Sequence, residues 1–299
     1  MSKKYTFSVI GGDHRQRIII KKLLSIGHCV KVFSLGTPIL DIEGAEICST
    51  VEKVLLECDF LLLPLPMSRD GVTVNLTSPE HKIRADDVIK LCAKNSDTLI
   101  FGGLMPSEFK DLARSASVEL IDYYACENLQ QKNALPSAEG AIMVAMENTD
   151  RVIEGIRVMI CGYGRIGRIL ADKLHRLGAS VSVAARRDEV LCEVAMAGFD
   201  PVDLKQVNSL IRASQDSEVI FNTIPYQIFS RQVIEKIDSD PIYIEIASSP
   251  GGIDIQSARS HKMKLIFAPS LPGKYAPASA GEYIFETVKD ILSKRGMDI

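Results

Sequence analysis

The sequence contains no tryptophan, and it lacks the local patterns that hold zinc in proteins. Its seven cysteines form no CxxC pair, and its five histidines form neither HxxxH nor HExxH. Because zinc sites usually need such spacings, the sequence predicts no metal centre. An odd number of cysteines in mostly apolar surroundings is typical of reduced, buried thiols in a cytoplasmic protein.

Long apolar stretches and an excess of positive charge are also missing. The most apolar stretch, 54–66, is interrupted by Glu57 and Asp59, so we interpret it as a buried strand rather than a membrane span. The first residues enter a strand pattern at once and show no signal-peptide core. A formal net charge of −3 provides no basic surface for nucleic acid. We therefore expect a cytoplasmic protein with neither nucleic-acid nor membrane partners.

The length and the apolar content are sufficient for two domains. The chain has 299 residues, 46 % of them hydrophobic, and short apolar runs alternate with helical patterns throughout. Such alternation predicts an α/β fold with two doubly wound, mostly parallel sheets. The predicted parts are an N-terminal domain at 1–135, an interdomain helix at 136–150 that is capped by Ser137, and a second domain at 151–276. A C-terminal helix in 277–299 is expected to pack back on the first domain.

The clearest motif is the glycine turn Gly162-x-Gly164-x-x-Gly167. It lies between a strand pattern at 158–161 and a helical pattern, and a second strand follows at 180–184. In this context the three glycines permit a tight turn, close approach of a pyrophosphate, and close packing of helix on strand. The helix dipole adds positive potential for the phosphates. We predict a Rossmann domain with cofactor contacts at Gly162, Gly164, Arg165, Ile166 and Gly167.

Two arginines stand at the end of the second strand, where a site that prefers NAD usually has an acidic residue. Arg186 and Arg187 suit a 2′-phosphate and would leave NAD without its ribose acceptor. We therefore predict NADP as the cofactor. Two observations keep the alternative open: the arginines could be solvated surface charges, and Asp188 follows them directly.

Three further strand ends are rich in serine, threonine, glycine and proline. In open α/β sheets, ligands bind at the carboxyl ends of the strands. We expect Thr223, Ile224 and Pro225 to contact the dinucleotide, and the ends that contain Ala247 and Ser248 or Leu271 and Lys274 to approach the nicotinamide. The alternative is that these segments are ordinary turns.

The N-terminal domain opens with a different turn, Gly11-Gly12-Asp13-His14-Arg15. It has no third glycine, so we predict no dinucleotide there. Asp13 and Arg15 would lie at the carboxyl end of the first strand, where the arginine could bind a substrate carboxylate. Equally, Asp13 could cap a helix and Arg15 could be a surface residue.

Six motifs spread over the chain together resemble the family of the dipicolinate synthase A subunit. They are GGDxRQ at 11–16, PSAEG at 136–140, GxGRxG at 162–167, NTIP at 222–225, ASxPGG at 247–252, and APxLPG at 268–273 followed by Ala276-Pro277. Two positions depart from the family pattern: Ser137 stands where threonine is usual, and Ser270 where glycine is usual. The resemblance implies NADP-linked oxidation of dihydrodipicolinate to dipicolinate in the mother cell of a sporulating bacterium. It also implies a flavoprotein-like partner, the B subunit of the enzyme, and we expect a homo-oligomer.

The implied reaction requires groups that bind a small dicarboxylate and remove one proton. Arg15 and Lys274 are the candidate carboxylate partners, with Asp13 and Ser248 beside the substrate. Lys274 and Glu139 are the predicted catalytic residues. Glu139 would serve as the base if burial against the interdomain helix made it basic enough; otherwise it is a carboxylate favoured by the helix dipole.

Two other functions remain open. A 2-hydroxyacid dehydrogenase has the same two-domain plan but needs an acid/base histidine near the last strand of the cofactor domain. The nearest histidine here, His261, precedes that strand, and Lys274 and Tyr275 occupy the expected stretch. A non-catalytic NADP-sensing subunit would keep the glycine turn and need no base.

Overall fold

The chain folds into two compact units, each built on its own parallel sheet. The computed structural model describes residues 3–36, 42–77, 81–94 and 98–299. One unit consists of Met1–Asn133 with Ala276–Ile299, and the other of Ala134–Tyr275. Each contains six parallel strands flanked by helices, which confirms the predicted fold class.

The N-terminal unit has a six-stranded sheet in the order β3-β2-β1-β4-β5-β6. The strands are β1 Thr6–Ile10, β2 Cys29–Phe33, β3 Glu46–Ile47, β4 Phe60–Leu62, β5 Leu99–Gly102 and β6 Leu120–Asp122. The helices are His14–Ser25, Val51–Leu55, Ala85–Cys92, Ser107–Ser115 and Pro277–Ser293, with a 3-10 turn at Tyr123–Ala125. The central strands are almost wholly apolar because helices cover both faces of a parallel sheet.

The second unit repeats the plan, with its sheet in the order β12-β11-β10-β7-β8-β9. The strands are β7 Arg157–Cys161, β8 Ser180–Ala185, β9 Asp200–Asp203, β10 Val219–Asn222, β11 Ile242–Glu245 and β12 Leu265–Phe267. Its helices are Arg165–Arg176, Asp188–Met196, Val207–Asp216, Arg231–Ile234, Ile255–Ser260 and Leu271–Tyr275. A long helix, Glu127–Asn148, contains the boundary between the units.

The chain reverses its direction of winding at one point in each sheet. That point lies between β1 and β4 in the first unit and between β7 and β10 in the second. Crevices for ligands form at such reversals, outside the carboxyl ends of the strands. The Gly11-Gly12 turn follows β1 and the Gly162 turn follows β7, so each glycine turn lies at a reversal.

The C-terminal helix, Pro277–Ser293, packs against the helix His14–Ser25 of the first unit. The two helices approach closely at Gly281, where a Cβ atom would lie 2.7 Å from the Arg15 carbonyl oxygen and 2.8 Å from Ile18 Cβ. The apolar side of this helix, including Ile284, belongs to the core of the first unit.

Several local predictions are wrong. The long helix begins at Glu127, so Ser137 lies inside it and does not cap it. The apolar stretch 54–66 does contain a buried strand, Phe60–Leu62, but its first residues end the helix Val51–Leu55. Of the seven cysteines, all free, Cys29 and Cys192 are exposed rather than buried.

Within the described residues, no helix combines the length and apolar character that crossing a bilayer would require. The same residues contain no cluster of three potential metal ligands.

Candidate functional site

The glycine turn after β7 has the geometry that its sequence predicts. Gly162 has a φ of +98°, and a Cβ there would overlap the Thr223 hydroxyl. A Cβ on Gly167 would overlap the carbonyl oxygen of Gly162, so the helix can approach the strand only with glycine at this position. By contrast, a Cβ on Gly164 would meet nothing within 4 Å. The turn therefore leaves open space at the glycine where a pyrophosphate would approach the backbone.

The amino end of the helix Arg165–Arg176 is open to a ligand. Gly164 is its N-cap and provides no side chain to accept from the first-turn N–H groups, and the first turn contains no acidic residue. The first-turn N–H groups have no acceptor within the helix, and together with the positive end of the helix dipole they suit an anion. The residues present therefore fit the pyrophosphate of a dinucleotide.

Arg186 and Arg187 are exposed directly after β8. Within the described part of the chain, neither side chain makes a hydrogen bond or an ion pair. The neighbouring Asp188, which left the choice between NADP and NAD open, forms an ion pair with Lys205. The two guanidinium groups are thus available to a ligand, while the acidic alternative already has a partner.

The turn after β10 is fixed to the glycine turn. Thr223 donates its hydroxyl hydrogen to the Cys161 carbonyl oxygen at 2.8 Å, which places Thr223 and Ile224 beside Gly162. The Asn222 side chain accepts from the Ile224 N–H at 3.1 Å and donates to the Ile224 carbonyl oxygen at 2.9 Å. Pro225 follows as an exposed residue. The structure therefore places Thr223 and Ile224 beside the glycine turn.

A buried carboxylate, Glu245 at the end of β11, holds two of the strand-end loops. Its Oε1 accepts from Asn222 Nδ2 at 2.7 Å and from the Ala247 N–H at 3.1 Å. Its Oε2 accepts from the Gly252 N–H at 2.8 Å and from the Tyr243 hydroxyl at 3.3 Å. This network fixes Ala247, while Ser248 is exposed on the loop that the network anchors.

Sequence reasoning missed Glu245, although a signal was present. The residue is the only charged one in the run Ile242-Tyr-Ile-Glu-Ile246, which otherwise has the pattern of a buried strand. A charge inside such a run calls for partners. The partners of Glu245 are Asn222 on the neighbouring strand, Tyr243 on the same strand, and the N–H groups of Ala247 and Gly252 in the loop that follows.

Leu271 packs against the long helix Glu127–Asn148 at Gly140. A Cβ on Gly140 would lie 3.0 Å from Leu271 Cβ and 3.1 Å from Tyr275 Cδ2. Leu271 is 2 % exposed, so its side chain belongs to the core rather than to an open surface. The 136–140 and 268–273 motifs therefore meet at this contact.

Neither predicted catalytic residue has the properties of a base. Glu139 is not buried: its side chain is 54 % exposed and pairs with Lys173 at 2.9 Å. A hydrogen bond with the Tyr275 side chain raises the pKa of Lys274 above its ordinary value. Lys274 is therefore a cation at neutral pH, able to attract a carboxylate but not to accept a proton.

In the N-terminal unit, Asp13 and Arg15 are paired with each other. Asp13 caps the helix His14–Ser25, and its carboxylate accepts from Arg15 Nε and Nη2, both at 2.8 Å. Arg15 also donates to the Leu65 carbonyl oxygen and is only 4 % exposed. The helix-cap alternative is therefore right for Asp13, and the surface alternative is wrong for Arg15.

The first glycine turn is covered by its own chain. A Cβ on Gly11 would lie 2.6 Å from Leu76 Cδ2, and the Gly12 N–H donates to the Asn75 carbonyl oxygen at 2.9 Å. The place that a pyrophosphate would need is occupied by the segment around Asn75. The two units share a strand order, but only the second presents an open glycine turn.

Comparison with known proteins matches the two parts of the chain to two different families. Residues 6–124 match the family of the N-terminal domain of the dipicolinate synthase A subunit, and residues 136–270 match the family described as S-adenosyl-L-homocysteine hydrolase, NAD binding domain. The second unit is therefore a domain of a type that binds a nicotinamide dinucleotide.

Proteins that are similar over nearly the whole chain support the resemblance indicated by the motifs. The A subunit of dipicolinate synthase from Bacillus subtilis is 29 % identical over 290 residues, which are 96 % of this chain and 95 % of the relative. The crystal structure of the A subunit of dipicolinate synthase from Bacillus halodurans superposes with a TM-score of 0.85 at 28 % identity, covering 98 % of each chain. The A chain of the Bacillus subtilis enzyme gives 0.82 at 27 % identity, covering 98 % of this chain and 97 % of that one. The resemblance indicated by the motifs is confirmed: over 96 % of its length, this chain is similar to the A subunit of dipicolinate synthase.

Proposed function

We propose that this relative of the dipicolinate synthase A subunit oxidises dihydrodipicolinate to dipicolinate with NADP, together with a flavoprotein-like B subunit. The observation that carries the proposal is the open glycine turn at Gly162–Gly167 in a chain with this similarity. Arg186 and Arg187, whose side chains have no partner among the residues that the structure describes, follow the neighbouring strand. The same similarity supports a role in the mother cell of a sporulating bacterium.

The cofactor contacts follow from the sheet. The pyrophosphate would be bound by N–H groups at the amino end of the helix Arg165–Arg176, beside Ile166 and Gly167. Arg186 and Arg187 would bind the 2′-phosphate through charge-assisted hydrogen bonds, which NAD cannot form. Thr223, Ile224, Pro225 and Ala247 would line the path towards the nicotinamide, and buried Leu271 would support it from the core.

The chemistry needs a hydride acceptor and a proton acceptor. Aromatisation removes one hydride, which the bound nicotinamide takes up, and one proton, which must go to a base. The positively charged Lys274 and the exposed Ser248 are suited to binding the substrate diacid instead. We do not retain Glu139 as the base, since the burial that this role required is absent.

We propose Arg15 as the second residue that binds a substrate carboxylate, although its side chain already has hydrogen-bond partners. Two of its donor nitrogens already bind Asp13, so a substrate carboxylate would have to share or replace that pair. Because Arg15 is almost fully buried, a carboxylate bound there would be held in a site of low dielectric, where the ion pair is strong.

A direct assay tests the proposal. The purified chain is mixed with NADP and dihydrodipicolinate, with and without the purified partner, and NADPH is followed by its absorbance. We expect NADPH and dipicolinate to form in equal amounts when both subunits are present. NADP binding without turnover under every condition would contradict the proposed activity.

A second function, a non-catalytic NADP-sensing subunit, is favoured by one observation. Glu139 lacks the burial on which its role as the base depends, Lys274 is a cation, and a sensor needs no base. In that case the partner alone would turn over, and NADP bound to this chain would change only the partner's rate. Substituting Lys274 would then leave the rate of the mixture unchanged.

A further inference from the structure

Glu245 is a negative charge enclosed at the carboxyl edge of the cofactor domain. It is 4 % exposed, and none of the lysines, arginines or histidines in the described ranges forms an ion pair with it. Burying an uncompensated charge is costly, and the molecule offsets that cost here with hydrogen bonds alone.

Three of the four partners of Glu245 can only donate a hydrogen bond to it. The N–H groups of Ala247 and Gly252 can only donate. The amide of Asn222 is also fixed as a donor, because its Oδ1 accepts from the Ile224 N–H. With three obligate donors around two oxygen atoms, the arrangement suits the charged, acceptor-only carboxylate.

The position of this charge relative to the proposed cofactor site follows from the sheet order. Glu245 ends β11, which pairs with β10, and β10 pairs with β7, from which the glycine turn emerges. Neighbouring strands are about 4.8 Å apart, so the backbone of Glu245 lies roughly 10 Å across the sheet from the end of β7. The carboxylate anchors the loops that begin at Thr223 and Ala247, which we propose lead to the nicotinamide.

We propose that Glu245 makes this site bind the oxidised cofactor more tightly than the reduced one. The inference rests on the proposed function, because it requires a nicotinamide dinucleotide at the site. Oxidised nicotinamide carries a positive ring charge and reduced nicotinamide does not, whereas the phosphate charges of the two forms are equal. If the ring lies on the order of 10 Å from this carboxylate, a fixed negative charge there would discriminate between the two forms by about threefold to tenfold. Such a preference suits an enzyme that takes up NADP⁺ and releases NADPH.

Calorimetric titration with NADP⁺ and with NADPH separately tests the inference. In the unsubstituted protein we expect the ratio of the NADPH Kd to the NADP⁺ Kd to exceed one. In Glu245→Gln this ratio should fall about threefold to tenfold, because the charge is removed. The glutamine NH₂ group also leaves one donor of the network without an acceptor, which should weaken the binding of both forms alike.

Two control variants separate charge from architecture. Glu218→Gln alters a carboxylate at the opposite end of β10, where it accepts from the Arg157 N–H at 2.9 Å, and should leave the ratio unchanged. Tyr243→Phe removes one donor to Glu245 but keeps the charge. It should change both affinities together and preserve the ratio.

The outcomes distinguish the inference from the proposed function. Equal weakening of both forms in Glu245→Gln, with the ratio unchanged, would mean that Glu245 only supports the loops, and would overturn the inference. If that variant does not fold, the unsubstituted protein and Glu245→Asp decide: both should prefer NADP⁺, and an equal or reversed preference in the unsubstituted protein overturns it. Failure of the unsubstituted protein to bind either form would overturn the proposed function and the inference with it.

Discussion

The carbonyl group of Gly162 occupies the space that a side chain on Gly167 would need. The ideal Cβ of Gly167 would lie 2.9 Å from the carbonyl carbon of Gly162 and would overlap its oxygen. This contact joins the start of the helix Arg165–Arg176 to the end of β7, and so it fixes the shape of the turn on which the proposed cofactor site depends.

The glycines of this turn should therefore respond differently to the same substitution. Gly167→Ala forces the helix away from the strand and should destabilise the protein by about 1–3 kcal/mol. Gly164→Ala meets nothing in the protein, so its stability should change by less than about 1 kcal/mol, whereas a methyl group facing the phosphates should weaken NADP binding. Chemical denaturation and calorimetric titration measure the two effects. Equal destabilisation by both variants would contradict this description of the turn.

Arg186 should determine the preference for NADP over NAD. Removing one charge-assisted hydrogen bond costs about 1.5–3 kcal/mol, so Arg186→Ala should reduce the ratio of NADP to NAD affinity by roughly tenfold or more. Arg212→Ala is the matched control, because Arg212 is also an exposed arginine of this unit but lies on the helix Val207–Asp216. An unchanged ratio in Arg186→Ala, with Arg187 also replaced, would remove the basis for NADP.

Ser270 should be a site of local strain. It has a φ of +60°, in the left-handed region that favours glycine, and it is the position where the family pattern has glycine. We expect Ser270→Gly to raise the free energy of unfolding by up to about 1 kcal/mol. Ser270→Ala has a Cβ like serine and should show no such gain. Loss of stability in the glycine variant would indicate that the serine side chain contributes more than the strain costs.

His28 should make the protein less stable in mild acid. Its Nδ1 accepts from the Tyr5 N–H at 3.3 Å, and within the described residues its Nε2 has no partner. Burial, aided by the charge of Lys4, lowers the pKa of His28 below its ordinary value of 6.5. The unfolded chain therefore binds this proton more readily, so the contribution of His28 is complete above pH 6.5 and declines as the pH falls.

The measurement for His28 is the free energy of unfolding between about pH 7.5 and about pH 5. The unsubstituted protein should lose up to about 1.4 kcal/mol per pH unit more than His28→Gln, which has no titrating group at this position. If the free energy of unfolding changed with pH in the same way for both proteins, protonation of His28 would not be coupled to unfolding.

The sequence was most informative where the chemistry is local. The three glycines act through their immediate neighbours, so their spacing alone indicates the shape of the turn. The helix start at Glu127 was missed because Ser137 has the residue type of a cap and Pro136 precedes it, although the surrounding packing continues the helix through both. Propensity is a weak guide where tertiary contacts compensate for it.

The remaining errors concern groups whose environment comes from distant residues. Glu139 was expected to be buried because its helix is apolar, but it lies on the exposed side and pairs with Lys173. The importance of Glu245 depends on Asn222, which is on another strand. Arg15 was expected either to bind substrate or to be exposed, and only the fold shows that Asp13 and the Leu65 carbonyl group enclose it.

Titration of the purified chain with NADPH, followed by cofactor fluorescence and by calorimetry, tests the central claim most directly. If the turn at Gly162–Gly167 binds a phosphorylated dinucleotide, binding should saturate with one cofactor per chain, and Gly164→Ala should weaken it without unfolding the protein. Absence of any response at millimolar NADPH, also with the partner subunit present, would contradict the account.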